Sequence, residues 1–501
     1  MGDILSGLGI GFGVAFDPMN LAYCFAGVLV GTLIGVLPGI GPVPTIAILL
    51  PFSFNLPPEA ALIMLAGIYY GAQYGGSTTA ILVNMPGESA SVVTCIDGYQ
   101  MARQGRAGVA LATSALGSFF AGTVATFVIA LLGPPLTRFA QEFGAPEYVA
   151  LMVLGLIGAV VLSSGSVVKS LGMIVLGLLL GLVGLDVTTG AERFTFGIPE
   201  LNDGLGFVPV AMGLFGLAEI IANLEATAAR EVMMQPIRSL MPTREDVRRA
   251  TPAVMRGTLV GAILGVLPGG GAILSSFAAY AVEKKVSRRP EEFGQGAIEG
   301  VAGPESANNA AAQTSFIPLL TLGIPGNAVM AVMMGAMMIQ GIAPGPQVMT
   351  SRPELFWGVI VSMWIGNLML VVLNLPLIGI WVRLLKVPYH YLFPAILVFS
   401  VIGVYSVGDS VFDVFVAVVF AFVGYFFRKV GCEPAPLVLG FILGPLLEEN
   451  LRRALLLSRG DPMTFIDNPL SAGLFIAAIV LLIAMIAPAL RRRRAEAFVG
   501  D

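Results

Sequence analysis

Apolar residues fall in long continuous blocks, not in alternation. They run near Leu21–Phe54, Ala60–Tyr74, Gly108–Leu132, Tyr148–Leu162, Val167–Leu185 and Phe207–Leu224. After the polar stretch EATAAREVMMQPIRSLMPTREDVRRA they resume near Pro252–Val282, Ala297–Leu322, Leu355–Leu385, Tyr389–Val404, Phe412–Phe427, Pro436–Leu447 and Ala472–Ala489. Continuous apolar runs of ~20 residues predict helices that cross a bilayer, and the lack of alternation excludes a closed barrel. The expected fold class is an all-α polytopic membrane protein.

Two of these blocks carry the same break. GVLPG stands at Gly35–Gly39 and again at Gly265–Gly269. Each is followed by a second Pro-Gly signal, NMPGESA at Asn84–Ala90 and GIPGNAV at Gly323–Val329. Matched Pro/Gly breaks at membrane depth in two halves of one chain are the pattern of a secondary transporter. The reading divides the chain into an N-terminal interfacial segment (1–19), a first repeat (20–229), a connecting arm (230–250), a second repeat (251–490) and a cytoplasmic tail (491–501).

Loop charge orients the halves. NLPPE after the first block has no Lys or Arg, whereas its counterpart holds Lys284, Lys285, Arg288 and Arg289. After the second Pro-Gly signal the order reverses: Arg103 and Arg106 stand against GIAPGPQVMTS. Since cytoplasmic loops collect Lys and Arg, the alternation predicts two inverted-topology repeats with re-entrant or broken hairpin helices. The Arg491–Arg494 run is expected to be cytoplasmic. One region conflicts. The arm carries Arg230, Arg238, Arg244, Arg248 and Arg249, which pull it inside, where strict inversion starts the second half outside.

Composition narrows the class further. Hydrophobic residues make up 56% of the 501 and charged residues 12%, about half the share of a soluble chain. A net charge of -4 excludes a basic-patch nucleic-acid binder and gives no substrate sign. Cys24, Cys95 and Cys432 have no metal-ligand spacing, and no nucleophile motif or P-loop is present, so neither a metal site, a catalytic residue nor an enzyme is expected.

Candidate chemistry gathers at the breaks. Unpaired backbone in hydrocarbon costs several kcal/mol per group, so broken helices persist only in protein or beside water. Beside the first break lie Ser77, Thr78, Thr79, Asn84, Gly87, Glu88 and Ser89; beside the second lie Glu305, Ser306, Asn308, Asn309, Gln313, Thr314, Asn327 and Gly326. Small polar side chains also glue apolar helices together, at roughly 0.6 kcal/mol per bond. Neither Gly71–Gly87 nor Asn308–Pro346 contains a charged residue. A bound carboxylate would therefore rest on helix N-termini and neutral donors. The candidate substrate-binding residues are Ser77, Thr78, Thr79, Asn84, Gly87, Ser306, Asn308, Asn309, Thr314, Gly326 and Asn327. Intramembrane acids and freed carbonyls make Glu88, Glu305, Gly39 and Gly269 the candidates for a coupling ion, Na+ or H+, with no other cofactor. Asp97 is expected to pair with Arg103 or Arg106, and the Met330–Met338 run to be adaptable packing. An anion channel with a re-entrant hairpin pore is the alternative, since such hairpins also build pores.

At these residues the chain resembles a known family. YGGSTTAILVNMPGESASVVTCIDGYQMARQGRAGVAL and GPESANNAAAQTSFIPLLTLGIPGNAVMAVMMGAMMIQGIAPGP, with both GVLPG segments, are similar to the signature regions of the large membrane subunit of tripartite tricarboxylate transporters, the TctA family. The resemblance covers nearly the whole chain. It implies a multi-pass permease of the bacterial inner membrane that takes up an organic anion, driven by an ion gradient. Its partners would be a small membrane subunit, a periplasmic solute-binding protein and the surrounding lipid; it leaves open a homo-oligomer of the complex. Members handle different carboxylates, so the substrate does not follow.

Overall fold

The computed structural model describes residues 2–37, 41–162, 166–186, 188–225, 240–267, 271–384 and 389–498. The expected breaks at Pro38-Gly39 and Pro268-Gly269, and with them the candidates Gly39 and Gly269, lie outside these residues, as do 226–239 of the arm. Almost everything described is helix, apart from a two-stranded antiparallel hairpin pairing Gly184–Leu185 with Glu192–Arg193. Among the described residues, five helices are long and apolar enough to cross a membrane: Pro18–Gly35, Ser89–Ala140, Phe207–Glu225, Pro353–Asn374 and Val411–Lys429. The Gly2–Ala15 segment is a helix packed along Pro353–Asn374, with Gly7 and Gly11 against Trp357.

The chain forms two compact units, each drawing on both sequence halves. One comprises Met1–Arg138 and Val208–Tyr425; the other comprises Phe139–Phe207 and Phe426–Asp501. In the smaller unit, Val167–Gly181 lies against Pro434–Leu457 through Gly177, Gly181, Gly440 and Gly444, and both also pack on Ala145–Leu162. Its short hairpin is held by Asp186, which takes Arg193 at 2.6 Å, Arg452 at 2.6 Å and the backbone N–H groups of Thr188 and Thr189. The Thr189 N–H, together with the Arg452 guanidinium, holds the Asp186 carboxyl well below the usual carboxylate range.

The larger unit is built on glycine contacts. Gly27, Gly31 and Gly35 meet Met64, Ile68 and Ala72, while Gly67, Gly71 and Gly75 meet Cys24, Val28 and Thr32. Small residues every fourth position let two backbones touch, the packing solution available where lipid offers no hydrophobic drive. The contacts rise together along both helices, so Pro18–Gly35 and Pro58–Val83 run parallel. The second half repeats this: Gly257, Gly261 and Gly265 of Arg244–Val266 meet Gly303, Ala307 and Ala311 of Glu299–Thr314, again in parallel.

Two parallel helices joined by a third require the third to bring the chain back. Pro42–Ser53 does so in the first half, and Gly271–Val286 in the second. In the second, Arg256 pairs with Glu283 at 2.5 Å, ten and twelve residues from the facing helix ends, which only an antiparallel pair allows. Chain direction therefore reverses between Pro18–Gly35 and Pro42–Ser53, and between Arg244–Val266 and Gly271–Val286. Gly41 and Gly271, where the return helices begin, sit at φ +52 and +47, a region most side chains avoid.

Pro58–Val83 and Glu299–Thr314 run antiparallel to each other. Pro58–Val83 crosses Glu299–Thr314 with Ser77 beside Glu305, and Tyr70 beside Phe316 just beyond it. The halves also interlock: the Ser89–Ser91 turn packs against Gly271–Val286, and Ala328–Ile339 packs against Pro42–Ser53. At one end of the unit, Arg106 pairs with Asp246, Gln104 bonds the Gln295 carbonyl at 2.7 Å, and Arg249 joins Glu292 and Glu299 at 2.5 and 2.7 Å.

Candidate functional site

The second Pro-Gly signals break their helices as the sequence predicts. Pro58–Val83 stops at Asn84 and Phe316–Leu322 stops at Gly323, both in the left-handed region. Each chain then passes a Pro-Gly and restarts: Ser89–Ser91 leading into Val92–Met101, and Ala328–Ile339. The restarts are capped from the equivalent position. Glu88 accepts from Ala90 N at 2.9 Å, and Asn327 accepts from Met330 N at 2.9 Å. Gly41 abuts Glu88 and Gly271 abuts Asn327, so each cap is seated on the start of its own half's return helix. Thr45 and Ser275 donate to the carbonyls of those same glycines at 2.6 and 2.8 Å.

One difference breaks the symmetry. The first tip carries a carboxylate as its cap, and the second carries a neutral amide. An anion at a helix N-terminus is favoured by free N–H groups and the macrodipole. Glu88 brings a carboxylate to that position in the first half; Asn327 brings an uncharged amide in the second. The Asn327 amide nitrogen is buried with no partner.

Beside the first tip lies a second constellation. Glu305 has no solvent exposure. Its Oε2 accepts from Ser77 at 2.6 Å and Ser114 at 3.0 Å, and its Oε1 accepts from Thr94. Asn309 braces the same turn, donating to Ser118 Oγ at 2.7 Å and to the Glu305 carbonyl at 3.1 Å. Three helices of the first half thus supply hydroxyls to one carboxyl of the second. One turn further along, Asn308 donates to Glu88 Oε1 at 3.0 Å. Asn308 Oδ1, Gln73 Oε1 and Ser306 Oγ are buried without partners. Native interiors leave few such atoms, and each asks for an explanation.

The predicted residues therefore separate by placement. Ser77, Glu305 and Asn309 come together, Asn308 links the same helix to Glu88 at the first tip, and Asn327 stands apart at the second tip against Gly271. Ser306 lies on the same helix turn as Glu305 and faces Gly117. Gly87 packs directly on Gly35 and Gly76, whereas Gly326 has looser neighbours, with the Gly265 and Leu267 carbonyls at 3.9 Å from where a Cβ would stand. Thr78 and Thr314 donate to carbonyls one turn back, and Thr79 reaches the Val36 carbonyl at 2.7 Å. Asn84 is exposed and closes its helix.

Asp97 departs from expectation. Its partners are neither Arg103 nor Arg106. Oδ1 accepts the N–H groups of Gly294, Gly296 and Ala297, and Oδ2 accepts the Tyr280 hydroxyl at 2.9 Å. A buried carboxylate satisfied by backbone donors needs no arginine, and Arg106 pairs with Asp246 instead. The sequence reading also passes over Thr94, Ser114, Ser118 and Gln73. Ser114 and Ser118 stand one helical turn apart in an apolar stretch, the only signal they give. Among the described residues, no group of acids, histidines and cysteines has metal-binding geometry.

Apolar helices long enough to span a bilayer, buried polar side chains among them and two capped helix breaks define a multi-pass membrane protein with an interior polar site. The model of the tripartite tricarboxylate transporter TctA family matches residues 21–439. The chain belongs to that family, which is a family of transporters and not of enzymes, and is the large subunit of a tripartite system. It is 61% identical over 501 residues, all of both chains, to an Agrobacterium vitis protein described as an "uncharacterized 52.8 kDa protein in TAR-I ttuC' 3'region". It is also 61% identical over 241 residues, 48% of this chain and all of the relative, to an "uncharacterized protein in TAR-II ttuC' 3'region" of the same organism. No solved structure matches it.

Proposed function

We propose that this chain imports an organic carboxylate across a bacterial inner membrane, by secondary transport coupled to a Na+ or H+ gradient and dependent on a periplasmic solute-binding protein and a small membrane subunit. The observation that carries this reading is the pair of capped helix breaks, one in each half, in a unit that buries the unpartnered polar atoms of Gln73, Ser306, Asn308 and Asn327. The antiparallel pair Pro58–Val83 and Glu299–Thr314 and the reversal of chain direction in each half support an inverted-repeat transporter with hairpins entering from both faces. The substrate carboxylate sits at the N-terminus of Ala328–Ile339, where Asn327 leaves the macrodipole uncompensated. Ser77, Asn309 and Glu305 set the distance between the halves that this tip needs. Charge-free surroundings hold the anion loosely enough to release it, which makes prior capture by a binding protein useful.

The test is uptake of labelled di- and tricarboxylates into vesicles carrying the large and small subunits, with the binding protein outside and Na+ or H+ gradients imposed. Accumulation against a concentration difference, abolished without the binding protein, is expected. Flux that only equilibrates substrate, with no dependence on either gradient, would establish a channel instead.

A further inference from the structure

We infer that Glu88, Gln73 and Asn308 form a binding site for a single monovalent cation, Na+, at the tip of the first half. Three buried side chains with acceptor oxygens stand on neighbouring elements there. Glu88 is 8% exposed, and Gln73 and Asn308 are 1% exposed. The Glu88 side chain lies over Gly76, where an added Cβ would come 3.0 Å from Glu88 Cγ; Gln73 stands one turn before Gly76 on the same helix. Asn308 holds Glu88 from the opposite side at 3.0 Å.

The unpartnered atoms decide the ligand's sign. Gln73 Oε1 and Asn308 Oδ1 are carbonyl oxygens, acceptors with nothing donating to them. Beside a carboxylate they repel an anion and suit a hard cation with oxygen ligands. One carboxylate and two amide oxygens match a single positive charge. A divalent ion such as Ca2+ takes six to eight oxygens and more carboxylate than this site offers. Neither the Gly71–Gly87 nor the Asn308–Pro346 stretch contains a Lys or Arg to serve as counter-charge. The two tips then divide the work by their caps: the carboxylate cap takes the cation and the amide cap takes the substrate anion. That division deepens the transporter reading and rests on it, whereas ion binding stands by itself.

Binding of radioactive 22Na+ to the purified full-length chain in detergent, with choline as the balancing salt and no substrate or partner, tests the site directly. Saturable binding displaced by unlabelled NaCl is expected. Gln73→Leu and Asn308→Leu should each weaken it at least tenfold, and Glu88→Gln should abolish it. Should a leucine variant fail to fold, Glu88→Asp and Gln73→Asn carry the test, each weakening binding by a smaller factor. Absence of saturable binding in the natural chain would overturn the site, as would equal binding in all the variants. Na+ binding with no uptake under any gradient leaves the site and removes the transport reading. Proton-driven uptake by a chain that binds no Na+ does the reverse.

Discussion

Removing the hydroxyls around Glu305 one at a time measures what holds the two halves together. Ser77→Ala, Thr94→Val and Ser114→Ala each delete one donor to the same carboxyl, and the three donors come from three first-half helices. A hydrogen bond to a charged acceptor contributes about 1.5–3 kcal/mol, and one to a neutral acceptor about 0.5–1.5 kcal/mol. Each single substitution should therefore cost at least about 0.5 kcal/mol, with the larger values if Glu305 is ionised. The cycle with Glu305→Gln separates the cases, because the amide still presents an acceptor oxygen but no charge. A coupling of about 1 kcal/mol or more, favouring the carboxylate, is the expectation for an ionised cage. Equilibrium unfolding in mixed maltoside and dodecyl sulfate micelles gives the stabilities, and repeating the cycle across pH follows the proton. The argument fails if all three single variants unfold like the natural chain, since a fully buried carboxyl cannot lose a real donor without cost. A coupling that rises with pH would tie proton uptake to this cage and not to the tip.

Other predictions concern packing, charge and orientation. Gly71→Ala places a Cβ 2.5 Å from the Val28 carbonyl oxygen and should lower folded yield, costing about 1–3 kcal/mol, whereas Gly13→Ala meets nothing within 4 Å and should be silent by size-exclusion yield. Asp186 has its folded pKa depressed, so its contribution is present above the usual carboxylate range near pH 4 and is lost as pH falls below it. Asp186→Asn should accordingly flatten the acid limb of thermal stability, and an unchanged limb would remove this group from the account. In a chain freed of Cys24, Cys95 and Cys432, Asn55→Cys should react with an impermeant thiol reagent on intact cells and Ser287→Cys only after permeabilisation; labelling of both from outside would end the inverted assignment. Gly87→Val should abolish uptake more completely than Gly326→Val, because Gly87 packs on Gly35 and Gly76 while Gly326 has only distant neighbours, and equal residual uptake would contradict this.

Local punctuation was legible in the sequence, and its tertiary partners were not. Pro86-Gly87 and Pro325-Gly326 announce helix restarts because proline and glycine have few structural alternatives at such positions. Glu88 and Asn327 follow them directly, so the caps could be read as polar residues beside a break. The cage around Glu305 was half visible. Ser77 stood in a polar cluster, but Thr94, Ser114 and Ser118 look like ordinary glue in apolar helices until Glu305, 187 to 211 residues away, is placed against them, its carboxyl on the first two and its backbone carbonyl on the third. Asp97 was misassigned for the same reason. Its nearest arginines in sequence were read as partners, while its real donors lie 183 to 200 residues away.

The conflict over the arm has a structural origin that the glycine spacing already contained. If the chain crossed straight through each GVLPG, the arm and the Lys284–Arg289 loop would lie on opposite faces, and one of two arginine-rich segments would stand outside. Parallel packing of Gly257, Gly261 and Gly265 on Gly303, Ala307 and Ala311 forces a return between them. The start of Arg244–Val266 and the loop after Gly271–Val286 therefore share one end, where Arg249 meets Glu292 and Glu299. Arg106 joins that end through Asp246. The start of Arg244–Val266, the Lys284–Arg289 loop and Arg106 then stand at a single end of the unit, which removes the conflict between the arm and that loop. The same fourfold glycine spacing recurs at Gly27, Gly31 and Gly35 against Gly67, Gly71 and Gly75, so the first half must reverse as well. What a hydropathy profile draws as one long apolar block is thus two helices pointing opposite ways, and it is the spacing of the smallest residues, not the length of the block, that says so.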